Sequence, residues 1–282
     1  MPLLAIPNVS EGSSAGVAPL VGAIASHARV LDTHSDPVHN RTVVTATGPT
    51  DALVAAMAEL AVACLQIDLE THRGVHPRLG GLDVCPFVPH HGPMSDAIDA
   101  AHDAGETIAR RAQLPVFFYG SAARRDAYRE LPEIRSGGFD GVRARMRAGL
   151  TPDAGPAEID PHRGIVCVGA RGPLIAFNIE LLSDIEQARE IAAGIRDRSV
   201  RALAFDLGRG RSQVSMNLIE PEAVGIDDAF ARVEKAVESP GTNIVSTEIV
   251  GLVPDRFLPN PDARAARLLI EPGRSLESLL GD

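Results

Sequence analysis

The order of apolar and polar positions divides the chain into short strands and helices of moderate length. Val214, Met216 and Leu218 alternate with polar neighbours, which is typical of a strand with one face in water. Ile185 and Ala188 begin an apolar series at helical spacing, and a capping-box sequence from Ser183 to Glu186 marks the start of this helix. The pattern therefore predicts a mixed α and β protein.

The second half of the chain contains a complete structural unit in this pattern. Strands are predicted at about 173–181, 200–207, 212–219 and 244–253, and helices at about 185–195 and 227–238. The resulting order, βαββαβ, is the ferredoxin-like arrangement.

The first half repeats that outline and then adds strands. Strands are predicted at about 3–6, 30–32, 42–45 and 115–119, helices at about 16–27, 52–66 and 96–112, and one or two surface helices within 121–150. We therefore predict an α+β fold with two ferredoxin-like subdomains, 1–170 and 171–282.

Composition and charge restrict the classes of partner. The chain has 282 residues and a formal net charge of −10, which argues against nucleic acid because phosphate binding needs a basic face. No apolar run approaches the roughly 18 residues of a membrane span, and the first residues do not resemble a signal peptide. Three cysteines without a CxxC pair fit a reducing compartment. We expect a cytoplasmic protein that does not bind membranes.

The segment from Thr71 to Pro89 contains the strongest candidates for catalytic residues. His76 is followed by Pro77, which disfavours a helical conformation at the histidine, and Gly74 frees the backbone before it. Arg78 adds a fixed cation. A histidine on a rigid loop beside an arginine suits proton transfer on an anionic substrate.

Other interpretations of the polar residues remain open on sequence grounds. His76 is equally a candidate for a structural, hydrogen-bonded histidine. A metal-dependent amidohydrolase is an alternative, and its candidate ligands are His34, Asp36, His39, His72 and His76. The cluster from Asp32 to His39 fits metal ligands, a solvated hairpin loop or substrate contacts. Arg41, before an apolar strand, is either exposed or placed to bind a carboxylate.

Several other enzyme classes lack their motifs. Ser10 is not in a GxSxG sequence, and the chain contains neither GxGxxG nor a P-loop. Cys85 lies in an apolar run and is interpreted as a buried thiol. Acyl-enzyme hydrolases and nucleotide-binding folds are therefore not supported.

Eight segments in order along the chain resemble the formiminotransferase (glutamate formimidoyltransferase) family. They are IPNVSEG (6–12), HNRTVVT (39–45), HRGVHPRLGGLDVCPFVP (72–89), PVFFYGSAARR (115–125), LPEIRSGGF (131–139), VGARGPLIAFNIELL (168–182), QVSMNL (213–218) and EIVGLVP (248–254). The resemblance implies two ferredoxin-like subdomains with a substrate groove between them. It also implies transfer of a formimidoyl group between N-formimidoyl-L-glutamate and tetrahydrofolate in histidine degradation, with tetrahydrofolate as co-substrate and without a metal.

The resemblance also assigns roles to residues. His76, the second histidine of the HxGxHPR motif, is the implied catalytic group. We add Asp32 as a second catalytic residue, because an acid can stabilise the cationic, protonated amidine. We further predict contacts to the donor substrate from Asn8, Glu11, His34, Asn40, Arg41 and Arg78, of which the two arginines are suited to bind carboxylates. The implied folate-binding loop is Gly155, Pro156, Ala157, Glu158, Ile159, Asp160, Pro161, His162, Arg163 and Gly164, preceded by Ala154 where the family commonly has an aromatic residue.

Three further expectations complete the sequence interpretation. The chain is expected to be a transferase without a cyclodeaminase domain, and a homodimer is possible because sheet-rich subdomains often pair through an edge. A non-catalytic folate-binding protein is the alternative outside enzymes. Retention of the His-Pro-Arg sequence at 76–78 disfavours it.

Overall fold

A computed structural model describes residues 3–238, 242–259 and 275–281. The chain divides into two compact units, Met1–Gly172 and Pro173–Asp282. None of the helices in the described ranges has the length and apolar character needed to cross a membrane. The fold is α+β, as predicted.

The first unit is built on one large sheet. Its strands are β1 (Leu3–Ala5), β2 (Asn8–Val9), β3 (Arg29–Asp36), β4 (Arg41–Gly48), β5 (Leu82–Pro89), β6 (Val116–Gly120) and β7 (Val166–Ala170). Across the sheet the order is β3, β4, then β1 and β2 together, then β5, β7 and β6. The first four positions are antiparallel, whereas β7 runs parallel to both β5 and β6.

Helices cover this sheet on both faces, but not over its whole width. The helices are α1 (Ser14–Ala25), α2 (Thr50–Ala63), α3 (Met94–Ala112), α4 (Leu131–Arg135) and α5 (Gly138–Arg147). The apolar sides of α1, α2 and α3 form one continuous core with the sheet. On the opposite face, α4 and α5 cover β5, β6 and β7 through a smaller core that includes Phe117 and Ile134.

The second unit has a four-stranded antiparallel sheet. Its elements are β8 (Ile175–Leu182), α6 (Ile185–Ile195), β9 (Val200–Gly208), β10 (Arg211–Leu218), α7 (Ile226–Ala236), β11 (Asn243–Val250) and a short α8 (Leu276–Leu280). The strand order is β11, β8, β10, β9. Both α6 and α7 pack on one face, where Val214 and Met216 are buried as predicted. The other face was predicted to lie in water, but its Gln213 is buried as well.

Some predicted boundaries are wrong. Residues 33–41 were predicted as a connection, but β3 extends to Asp36 and β4 begins at Arg41, so the turn covers only 37–40. The strand β5 was not predicted, since Pro86 interrupts its apolar run and prolines are rare inside sheets. The helices predicted at about 52–66 and 96–112 begin at Thr50 and Met94, and the N-cap of α6 is Asp184 instead of the predicted Ser183.

Two glycines in helices provide a test of packing. A Cβ on Gly105 in α3 would lie 2.4 Å from the ring of Phe118, whereas a Cβ on Gly22 in α1 would meet nothing within 4 Å. We expect Gly105→Ala to destabilise the protein by about 1–3 kcal/mol through overpacking. Gly22→Ala should stabilise it by about 0.5–1 kcal/mol, because alanine has the better helix propensity. Urea unfolding of the two variants measures both changes, and equal effects would contradict this packing.

Candidate active site

The loop that precedes β5 carries His72, His76 and Arg78, and it is not helical, as the sequence predicted. It lies against the turn between β3 and β4. At Gly74 the contact is so close that a Cβ would lie 2.5 Å from the carbonyl oxygen of His39. Glycine is therefore required by the close approach of two backbone segments.

Arg78 holds this loop from within. Its Nη2 donates to the carbonyl oxygens of Gly74 at 2.6 Å and His76 at 2.5 Å, and its Nε donates to the same His76 oxygen at 3.1 Å. These bonds give Arg78 a structural contribution to the loop. Its predicted contact with a substrate carboxylate stays a prediction.

The His76 ring is oriented by a local hydrogen bond. Its Nδ1 lies 2.7 Å from the carbonyl oxygen of Pro77. Because a carbonyl oxygen only accepts, the neutral ring carries its proton on Nδ1 and its lone pair on Nε2. The edge of the ring meets His39 with centroids 6.0 Å apart. A neutral histidine in this tautomer is prepared to accept a proton at Nε2.

Beneath the loop lies Asp83, a carboxylate with no solvent exposure. It occupies an irregular position in β5, since Asn8 pairs with Val84 and Val9 pairs with Leu82. Irregularities of this kind redirect side chains, and they are frequent beside active sites. The Asp83 carboxylate is thereby placed where several donors converge.

Two arginines and one amide satisfy Asp83. Its Oδ2 accepts from Arg41 Nη1 at 2.7 Å and Arg135 Nη1 at 2.9 Å, and its Oδ1 accepts from the Leu79 amide at 2.7 Å. Burial raises the pKa of Asp83, but Arg135 and Arg41 outweigh it and hold that pKa well below its usual range. One carboxylate between two guanidiniums leaves a local excess of positive charge.

This excess of positive charge affects the pKa of His76. Burial lowers the pKa of His76 to about 3, and Arg41 and Arg135 act in the same direction. Asp83 and the Pro77 carbonyl oppose this shift. The ring is therefore neutral at physiological pH.

Other predicted residues lie nearby on the sheet. In the register of β3 and β4, Asp32 is opposite Thr45, His34 is opposite Val43, and Asp36 is opposite Arg41. Paired residues share a sheet face, so Asp32 and His34 lie on the face that carries Arg41. The structure thus groups three of the predicted site residues on one surface.

Asn8 and Asn40 have defined structural partners. Asn8 Oδ1 accepts from Arg41 Nη2 at 2.9 Å, which fixes the second end of that guanidinium. Asn40 has a φ of 47° and bridges two segments: Oδ1 accepts from the Gly12 amide at 2.8 Å, and Nδ2 donates to the Arg73 carbonyl at 2.7 Å. Both asparagines therefore hold backbone and side chains of the site in place.

Glu11 lies at the start of α1. Its Oε1 accepts from the Ser13 amide at 2.7 Å. A carboxylate in this position stabilises a helix N-terminus. Its predicted contact with substrate stays a prediction.

The segment 155–164, predicted to bind folate, is attached to the ends of the histidine loop. The Leu69 amide donates to His162 O at 2.9 Å, and the Ile165 amide donates to Leu79 O at 2.8 Å. His162 Nδ1 lies 2.9 Å from Asp68 Oδ1. Gly164 has a φ of 76°, and a Cβ there would lie 2.0 Å from Leu79 O. The contacts connect the two segments, whereas the folate role stays a prediction.

The metal-dependent alternative lacks a suitable ligand set in the described ranges. Within them, no three or more His, Cys, Asp or Glu side chains are arranged to hold a metal ion. His39 Nε2 is 3.8 Å from Asp36 Oδ2, and His72 Nε2 is 2.9 Å from the carbonyl of Ser10. His72 thus has a backbone hydrogen bond, and His39 lies at ion-pair distance from Asp36.

Sequence reasoning missed Asp83 and Arg135 as site residues. A signal for Asp83 exists, because a charged residue inside the apolar run LDVCPFV must find buried partners. No comparable signal marks Arg135 among the other arginines of 121–150. Only the three-dimensional arrangement brings it to Asp83 and to Pro77, whose carbonyl accepts from its Nη2 at 2.7 Å.

Comparisons with known proteins cover both units. Residues 3–171 match the family model described as formiminotransferase domain, N-terminal subdomain, and residues 176–263 match the one described as formiminotransferase domain. The chain is 34% identical over 271 residues to formimidoyltransferase-cyclodeaminase of Sus scrofa, covering 90% of this chain and 50% of that protein. It thus spans about half the length of that relative.

Two shorter relatives are covered almost completely. Glutamate formimidoyltransferase of Streptococcus pyogenes serotype M1 is 34% identical over 268 residues, which is 90% of this chain and 89% of the relative. Glutamate formimidoyltransferase of Thermoplasma acidophilum is 35% identical over 268 residues, which is 90% of this chain and 88% of the relative.

The opposite pKa shifts of two histidines predict a pH experiment. Burial lowers the pKa of His76, whereas the bond to Asp68 raises that of His162 above its ordinary value. In NMR titrations of the free protein, the His76 ring should not change between pH 5 and 8. His162 should titrate with a midpoint above about 6.5. A His76 midpoint near 6.5 would contradict the electrostatic description.

Because the pKa of His76 is lower in the folded protein than in the unfolded chain, the stability of the protein depends on pH. Unfolded His76 has a pKa of about 6.5, so the unfolded chain takes up this proton first as the pH falls. The contribution of His76 to the free energy of unfolding should therefore decline from about pH 6.5 towards the folded pKa of about 3. Acid denaturation of wild type and His76→Gln measures the difference.

Proposed function

The chain belongs to the formiminotransferase family, and we propose that it transfers a formimidoyl group from N-formimidoyl-L-glutamate to tetrahydrofolate. The products are 5-formimidoyltetrahydrofolate and L-glutamate, and the reaction belongs to histidine degradation. The observation that carries the proposal is the oriented, neutral His76 above the buried Asp83. Glutamate formimidoyltransferases that this chain covers almost completely support the choice of reaction.

The reaction needs one proton to change place. In the proposed mechanism, Nε2 of His76 accepts the proton of the tetrahydrofolate amine as that nitrogen bonds to the amidine carbon. The imidazolium then donates this proton to the glutamate nitrogen as the old carbon–nitrogen bond breaks. The ring returns to its neutral state, so one histidine serves both steps.

The low pKa of the free histidine fits an anionic substrate. Formimidoylglutamate carries two carboxylates, and negative charge near a histidine raises its pKa. Substrate binding would therefore offset the excess positive charge from Arg41 and Arg135 and bring His76 closer to the working pH. In the adduct, a ring with a still modest pKa is an effective acid for the leaving nitrogen.

The other sequence-predicted residues receive roles within this proposal. Asp32 stabilises the positive charge of the protonated amidine, and His34 lies on the same sheet face. Arg41 and Arg78 act on the substrate carboxylates chiefly through their charge, because Nη1 and Nη2 of Arg41 and Nη2 of Arg78 already bind protein acceptors. The segment 155–164 binds the folate.

The subdomain assignment is part of the same proposal. The βαββαβ element order and the antiparallel order β11, β8, β10, β9 support a ferredoxin-like second subdomain. The strands β3, β4, β1 with β2, and β5 support the same assignment for the first, extended by β7 and β6. We place the division at 170/171, and the compact units meeting at 172/173 support it.

An assay with purified protein tests the reaction. We expect consumption of formimidoylglutamate that depends on tetrahydrofolate and releases one glutamate per group transferred. Activity should survive treatment with a chelator. Hydrolysis without tetrahydrofolate, lost on chelation, would favour the amidohydrolase. Binding of tetrahydrofolate with no turnover would favour a carrier protein.

The role of His76 is tested by its removal. His76→Ala should lower kcat by about 10²–10⁴, the usual contribution of a general acid–base group, with substrate binding largely retained. His27→Ala is the control, because His27 is an exposed histidine at the end of α1. Turnover of His76→Ala close to that of the control would exclude His76 from the mechanism.

A further inference from the structure

Arg135 connects the buried Asp83 carboxylate to the Pro77 carbonyl oxygen, which also accepts a hydrogen bond from His76. It is the last residue of α4, and its guanidinium divides its donors between two acceptors. Nη1 binds Asp83 Oδ2 at 2.9 Å, while Nη2 binds the Pro77 carbonyl oxygen at 2.7 Å. The rigid fork of a guanidinium fixes the distance and angle between two such acceptors.

The Pro77 oxygen is the same atom that accepts from His76 Nδ1. A carbonyl oxygen has two lone pairs, so it can accept from both donors at once. Without a second donor, this exposed peptide group has water as its competing partner. Arg135 therefore restrains the acceptor that selects the protonated nitrogen of His76.

Asp83 also holds the C-terminal end of the histidine loop. Asp83 accepts from the Leu79 amide. The segment from Pro77 to Leu79 is therefore attached to this carboxylate directly at Leu79 and through Arg135 at Pro77. The position of Arg135 itself is supported by Arg145, whose Nη2 donates to the carbonyl oxygens of Ile134 at 2.5 Å and Ser136 at 3.1 Å. Helix α4 thus ends in a fixed place.

We propose that Arg135, held by Asp83, is a positioning residue that fixes the Pro77 carbonyl and thereby keeps His76 in the Nδ1–H tautomer, with Nε2 ready to accept the substrate proton. Neither Arg135 nor Asp83 has to touch the substrate. The tautomer is a property of the resting protein, whereas its catalytic value rests on the function proposed above.

The decisive variant is Arg135→Lys. A lysine keeps a positive charge for Asp83 but offers a single ammonium in place of a fork, so it cannot reproduce both bonds in the same geometry. The matched control is Arg232→Lys in the second unit. Arg232 likewise joins a carboxylate, Asp197 at 2.7 Å, to a backbone carbonyl, Ile195 at 3.3 Å.

The tautomer is read from long-range 1H–15N correlation spectra at neutral pH. The His76 signals are assigned by their loss in His76→Gln. Wild type and Arg232→Lys should show a protonated Nδ1 and an unprotonated Nε2. Arg135→Lys should show a mixture of tautomers. Its kcat should fall about 10- to 100-fold with little change in KM, a loss of the size found when the hydrogen-bond partners of metal-binding histidines are removed.

The results of this experiment distinguish the positioning role of Arg135 from the proposed formimidoyl transfer. An unchanged Nδ1–H tautomer in folded Arg135→Lys would overturn the proposal. If that variant does not fold, the wild-type spectrum still decides, because a predominant Nε2–H tautomer would overturn it as well. A tautomer shift in a protein without formimidoyl transfer would support the positioning role and reject the proposed function.

Discussion

The Asp83 carboxylate is fully buried, and its charge has to be balanced where it lies. Removing an ion from water costs several kcal/mol, on the order of what a whole domain has in net stability. Two guanidiniums and one amide supply that balance, from a sheet strand, a helix and the histidine loop. Elements distant in sequence therefore meet at the two oxygens of one carboxylate.

A buried ion pair is weak evidence for stability, because well-packed apolar residues often stabilise a core better. Asp83 is better explained by geometry. Its two oxygens fix Leu79 directly and Pro77 through Arg135. Arg78 fixes the carbonyl of His76 itself. The backbone on both sides of the histidine is thus held by charged hydrogen bonds, which are stronger than neutral ones.

Much of the fold could be predicted because its elements follow local rules. Alternation at 212–219 and the helical spacing after Ser183 identified a strand and a helix. The loop conformation at His76 followed from Gly74 and Pro77. By contrast, β5 was missed because a proline interrupts it, and Asp83 was missed with it. Arg135 has no local signal, since its importance comes from contacts with residues more than 50 positions away.

The charge of the whole chain and the charge of the site have opposite signs. The formal net charge is −10. Near His76, however, the two positive charges of Arg41 and Arg135 outweigh the negative charge of Asp83, and these arginines lower the pKa of His76. Charges in water are screened within about 8–10 Å, whereas partly buried charges are screened less. The nearby arginines therefore decide the state of the ring. A protein with a negative net charge can in this way present a locally positive site.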